Sequence, residues 1–215
     1  MQKPVGIILA GGLARRMGGA SGGANKALDK GLLELGGQTM LGRVMARLQP
    51  QVHSLALSAN GDPQRFSEFS LEVLGDSIKG YAGPLAGILS GLDWGAKQGA
   101  THVVSVAVDT PFFPENLVSA LQETGQRCSK PIVLAASSDD KKGMMRHPTF
   151  GLWPVALRED LRLALSGGVR KVLQWAEEKG CCSAEFETLA YDPFFNINTT
   201  DDLLLAKQII RAEKQ

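Results

Sequence analysis

The chain lacks most of the features that place a protein at a glance. No apolar run exceeds strand length, and the N-terminus has no basic and apolar leader, so neither a membrane span nor export is expected and the cytoplasm is the address suggested. The net charge is only +1, without the basic excess that nucleic acid or an anionic membrane surface recruits. The three cysteines, Cys128, Cys181 and Cys182, show no C-x-x-C spacing, and neighbours in sequence rarely form a bridge or a metal site; they read as reduced thiols in a reducing compartment. There is no G-x-x-x-x-G-K-[ST] loop and no G-x-G-x-x-G after the first strand, which excludes the two commonest nucleotide fingerprints. The histidines His53, His102 and His147 fall at two strand starts and one loop end, so no Ser-His-Asp or Cys-His arrangement is suggested.

What is present is an ordinary globular composition, 215 residues with 44% hydrophobic and 21% charged, enough for one core and one domain over residues 1–215. Its charge is unevenly placed. Residues 1–50 hold seven Lys or Arg against two acids, a net of +5 that leaves −4 for the rest.

That positive charge sits beside a glycine-rich turn. The apolar, β-branched run Val5–Ala10 reads as a buried strand, and Gly11 and Gly12 after it let backbone approach a bulky ligand because glycine has no Cβ. Arg15, Arg16, Lys26 and Lys30 follow, and guanidinium forks and lysine point charges are what phosphate oxygens pair with. Glycine with this charge points to a phosphate-bearing ligand.

Further along, hydrophobic periodicity predicts helices over residues 38–48, 83–94, 115–124, 158–165, 171–179 and 201–211. Strands are expected over 53–59, 71–74, 102–108, 131–136, 149–153 and 185–189, with a polar, mobile loop over 137–147. Thr199 with Asp202 resembles a capping box for the last helix. The alternation predicts an α/β fold, a Rossmann-like, mostly parallel sheet with helices on both faces. Ligands of such sheets bind at the carboxyl ends of strands, where Gly11, Asn60, Asp76 and Asp109 fall. A carboxylate at Asp109 suits a hard cation that also touches phosphate oxygens, Mg²⁺ being the natural one. Each of these residues also has a plain turn or capping reading; their convergence on one sheet edge favours a site that transfers a phosphate-bearing group without a protein nucleophile.

With those residues assembled, nearly the whole chain resembles the molybdenum cofactor guanylyltransferases. The markers are Leu9-Ala-Gly-Gly with Arg15-Arg-Met-Gly, Asp29-Lys-Gly-Leu-Leu-Glu-Leu, Ser58-Ala-Asn, Gly75-Asp, Gly83-Pro-Leu-Ala-Gly, Asp109-Thr-Pro, His147-Pro-Thr and Asn196-Ile-Asn-Thr. The resemblance implies a nucleotidyltransferase that joins GMP from GTP to molybdopterin and releases pyrophosphate, with molybdoenzymes or their chaperones as further partners. It also implies residue roles. Leu9, Ala10 and Gly11 would contact the nucleotide through backbone groups, Lys30 would neutralise its phosphates, Asn60 and Asp76 would help select base and ribose, and Asp109 would bind Mg²⁺. Arg16, Asn196 and Asn198 would lie near the acceptor or the reacting phosphates. The chain departs from the family in residues 19–28, which intervene before Asp29-Lys30 and make Lys26 a competitor for the role given to Lys30. The rival readings are a cytidylyltransferase acting on the same pterin or another phosphorylated small molecule, and a non-catalytic nucleotide-binding module; Ala10-Gly11-Gly12 in place of Ala-Ala-Gly favours GTP.

Overall fold

A computed structural model describes residues 3–11, 29–78, 83–139, 143–188 and 190–212. Gly12, Arg15, Arg16 and Lys26 lie outside the described residues. In chain order the strands are β1 (Val5–Leu9), β2 (Glu34–Leu35), β3 (Gln38–Thr39), β4 (Leu55–Ser58), β5 (Glu72–Leu74), β6 (His102–Ala107), β7 (Ile132–Asp139), β8 (Gly143–Pro154) and β9 (Cys181–Phe186). The helices are α1 (Met40–Leu48), α2 (Pro84–Lys97), α3 (Leu117–Arg127), α4 (Arg158–Ser166), α5 (Val172–Lys179) and α6 (Thr200–Ala212).

Seven strands form one sheet in the order β5-β4-β1-β6-β8-β7-β9, while β2 and β3 make a small hairpin. All neighbours in the large sheet are parallel except β8, which runs against both β6 and β7. The expected α/β class is therefore observed. Apolar side chains of α1 and α3 pack on one face with Ile8, Val104 and Phe150, and those of α2, α4 and α5 cover the other with Ile7, Val103 and Trp153. Successive strand residues thus feed opposite cores, as the period of two requires.

One helix lies unusually close to the sheet. Gly87, Gly91 and Gly95 recur every four residues along α2 and face β1, β4 and β6. A Cβ on Gly87 would stand 2.7 Å from Ser58 Oγ, and one on Gly95 2.8 Å from Val103 Cγ2. Three helical glycines cost roughly 0.5–1 kcal/mol each against alanine, but alanine would push the helix off the strands whose ends carry the site.

Three expectations are corrected. Residues 137–147, expected as a mobile loop, mostly belong to the β7–β8 hairpin, in which Ala136 pairs with Arg146 and Ser138 with Met144; cross-strand pairing overrides the polar composition. The last strand is β9 at Cys181–Phe186, aligned on β7, rather than 185–189. Cys128 and Cys182 are not free thiols but are joined by a disulfide between the end of α3 and β9, leaving Cys181 free. Adjacent cysteines do not pair with each other; the partner came from 54 residues away.

Candidate active site

The carboxyl ends of β1, β4 and β6 open onto a cavity of about 340 Å³, closed on one side by Gly83 and Pro84 at the start of α2. Leu9, Gly11, Lys30, Asn60, Asp76, Asp109 and Asn196 all line it. The sequence singled out each of these. Gly83 and Pro84 put the N-terminal, positive dipole end of α2 at this space, an environment that favours an anion.

At one end of the cavity stands Lys30. Its Nζ donates to Asn198 Oδ1 at 2.5 Å and pairs with Asp109 Oδ2 at 3.4 Å. The lysine side chain is only 11% exposed and the carboxylate 26%, so the ion pair is partly withdrawn from water and less screened than a surface pair. Asp29 aims the lysine: its Oδ1 accepts from Gly31 N at 3.1 Å and caps the short turn Lys30–Leu32.

The segment bearing Asn196 and Asn198 is fixed beside β6 through Ile197, whose side chain is buried and whose N–H donates to the Asp109 carbonyl at 2.8 Å. On one side of it the Thr110 hydroxyl bonds Asn196 Oδ1; on the other Asn198 meets Lys30. Asp202 then closes the segment, accepting from Asn198 N at 2.9 Å and Thr199 N at 2.8 Å, while its own N–H donates to Thr199 Oγ1. The expected capping box is thus formed. Burial works against the Asp202 charge, but these hydrogen bonds and the nearby Lys30 outweigh it and hold the carboxyl below its ordinary range.

At the other end, Asn60 and Asp76 bond reciprocally. Asn60 Nδ2 donates to Asp76 Oδ2 at 2.8 Å, and Asp76 N donates to Asn60 Oδ1 at 2.9 Å. The loop carrying Asp76 is pinned from α2, where buried Ser90 donates to the Gly75 carbonyl and accepts from Ser77 N.

His147 borders the site without entering the cavity lining. Its ring stacks on Phe194 with centroids 4.2 Å apart, and Nε2 lies 2.7 Å from Ser137 Oγ, which also donates to Asp192. Serine occupies the middle of that chain and is buried, so this is a structural brace for residues 192–196 and not a nucleophilic triad. Burial lowers the His147 pKa, with Asp192 opposing.

The family described as "MobA-like NTP transferase domain" matches residues 6–180. The chain is also 44% identical over 211 residues to the molybdenum cofactor guanylyltransferase of Bradyrhizobium sp. (strain ORS 278), covering 97% of this chain and 93% of the relative. The chain belongs to the MobA-like NTP transferase family. As a MobA-like chain it is a nucleotidyltransferase, and its fold agrees with that. The molybdopterin-guanine dinucleotide biosynthesis protein A of Archaeoglobus fulgidus superposes with a TM-score of 0.69 at 22% identity, covering 97% of this chain and 99% of that one. The 2-C-methyl-D-erythritol 4-phosphate cytidylyltransferase of Thermus thermophilus does so with 0.68 at 19%, covering 98% and 100%.

Sequence reasoning missed several residues that line or support the cavity. Thr110, which orients Asn196, stood in the Asp109-Thr-Pro marker without a role of its own, and Ser90, which orients the Asp76 loop, drew no reading. Thr149 lines the cavity because antiparallel β8 starts at the same sheet edge, which no parallel reading provides. Arg65 lies just beyond the Asn60–Pro63 turn signal and drew no reading of its own. Asn196, singled out from the sequence, lines the cavity, and Asn198 reaches it through Lys30, although both lie beyond the residues that the family match covers.

Proposed function

We propose that this MobA-like transferase joins GMP from GTP to a molybdopterin-type phosphate and releases pyrophosphate, with one domain carrying the whole site. The observation that carries this reading is the cavity itself, which places a lysine and a lone carboxylate at one end and a paired amide and carboxylate at the other. In this reading the acceptor phosphate attacks directly, without a covalent enzyme intermediate. An oxygen of that phosphate bonds to the α-phosphorus of GTP as the bond from that phosphorus to the bridging oxygen breaks, and pyrophosphate leaves. Catalysis of this kind rests on alignment and charge neutralisation.

The assigned roles are those the resemblance implies; the cavity lining supports them for Leu9, Gly11, Lys30, Asn60, Asp76, Asp109 and Asn196, while Gly12 and Arg16 lie outside the described residues. Backbone groups of Leu9, Ala10, Gly11 and Gly12 approach the nucleotide, Asn60 and Asp76 take its base and ribose, and Lys30 meets the phosphates. Asn196 and Asn198 hold the acceptor side with Arg16. Among the described residues no three or more His, Cys, Asp or Glu cluster to hold a metal alone. Asp109 is one of two carboxylates, with Asp76, that line the cavity, and Mg²⁺ is commonly held by one or two carboxylates plus substrate phosphates. Asp109 would hold that ion, which when bound neutralises charge on the phosphate oxygens. A need for nucleoside triphosphate supports the cytoplasm as its place of work; the Cys128–Cys182 bridge removes the thiol argument for that address. Among the described residues no helix is long and apolar enough to cross a membrane.

A cytidylyltransferase is the second reading, because the fold is shared with one. A thermal-shift panel of GTP, CTP, ATP and GDP, with and without Mg²⁺, separates the two. A ligand at about 100 times its Kd adds about 2.7 kcal/mol. Stabilisation by GTP with Mg²⁺ is expected; a response to CTP instead reassigns the nucleotide, and none at all removes the transferase reading's first support.

A further inference from the structure

One side chain touches both ends of the cavity wall. The Arg65 guanidinium uses all three of its nitrogens: Nε donates to Asp29 Oδ2 at 3.2 Å, Nη1 to the Asp62 carbonyl at 2.5 Å, and Nη2 to the Asn60 carbonyl at 2.6 Å. Asp29 directly precedes Lys30 and caps its turn; Asn60 is half of the Asn60–Asp76 pair. The Asp29 carboxylate is only 9% exposed and Arg65 28%. Removing the arginine therefore strands a largely buried charge next to Lys30.

The local sequence is shaped for this fork. Gly61 adopts φ +89°, a conformation costly for other residues, and turns the chain so that the carbonyls of Asn60 and Asp62 converge on one guanidinium. Asp62 caps the following turn through Gln64 N, and Pro63 starts it. The guanidinium carbon lies 4.4 Å from the centroid of the Phe66 ring, and Phe66 is itself buried in the core. Lysine could supply the charge but not three divergent donors from a rigid plane.

We propose that Arg65 is a positioning residue that sets the distance between the phosphate end of the site, at Lys30, and the nucleoside end, at Asn60 and Asp76. This rests on the reading in which one nucleotide spans both ends. It predicts a selective defect: a ligand reaching from end to end needs the two in register, whereas a ligand occupying one end does not.

The test titrates wild type, Arg65→Lys and Arg65→Ala with GTP, guanosine and pyrophosphate, following binding by ligand-observed NMR and folding by circular dichroism. The expected result is a GTP Kd raised by about tenfold or more in both variants, with guanosine and pyrophosphate binding unchanged. Arg65→Lys, which keeps the charge and stem, stands in should the alanine variant not fold. GTP binding as tight as wild type in the variants overturns the proposal, as does equal weakening of all three ligands, which marks simple loss of local structure. A wild-type chain with no affinity for GTP overturns the nucleotide reading itself.

Discussion

Lys30 meets side chains 79 and 168 positions away in the chain, whereas Asn60 meets Asp76 across 16 and Arg65 across 5. The phosphate end of the cavity thus exists only when the first strand's neighbourhood, the end of β6 and the segment before α6 have all assembled. The nucleoside end is held largely by two turns and is more open to solvent. Charge that must be partly withdrawn from water is tied to the global fold, where burial is available and geometry is stiff. Recognition of a base needs fixed donors and acceptors more than a low dielectric, and short-range turns supply those. In the proposed reading, one end is built for chemistry and the other for selection.

Substitutions can break that division. The largest effect is expected from Asp109→Asn, which keeps the shape and removes the charge: kcat should fall by about 10²–10³-fold while the melting temperature stays near wild type. Turnover assays with GTP check it, and unchanged kcat would remove the carboxylate from the chemistry. At the other end, Asn60→Ala should raise the GTP KM by about tenfold through lost hydrogen bonds and a released Asp76, with kcat nearly unaffected. A drop in kcat equal to that of Asp109→Asn would erase the distinction between the ends.

The smallest effect concerns the brace under the Asn196 segment. Because burial depresses the His147 pKa, the unfolded chain takes up a proton more readily than the folded one. The contribution of His147 is therefore complete above its ordinary pKa of about 6.5 and is lost as pH falls through that value toward the folded one, at no more than about 1.4 kcal/mol per pH unit. His102, also lowered by burial, acts with the same sign and leaves a residual slope. Melting temperatures across this range should fall less steeply for His147→Gln than for wild type; identical slopes would refute the assignment.

Much of this was legible in the residues. The β1 run, the α2 face entered by Gly83-Pro84 and the Thr199–Asp202 box all rest on local signals, and each formed as read. Asn60, Asp76 and Asp109 were singled out because a parallel sheet puts polar residues after apolar strands at one edge, and Lys30 because it closes the cationic segment after β1; the cavity lining brings the four together. What stayed hidden depends on contacts between distant segments. The β7–β8 hairpin is polar in sequence and ordered by its neighbours; the partner of Cys128 was invisible because pairing is a matter of space; and Arg65 looks like any turn arginine until Asp29 is brought to it.

The 168-residue span between Lys30 and Asn198 also bears on how the protein is made. On the ribosome Lys30 emerges early, and β9, the last strand of the sheet, is complete before Asn196 to Asn198 are synthesised. A nascent chain can hold its whole sheet while Lys30 still faces Asp109 without the asparagine that shares it. Competence is then acquired last, when Ile197 docks against the end of β6. In this order of synthesis an unfinished polypeptide has the scaffold of the enzyme without its closed site.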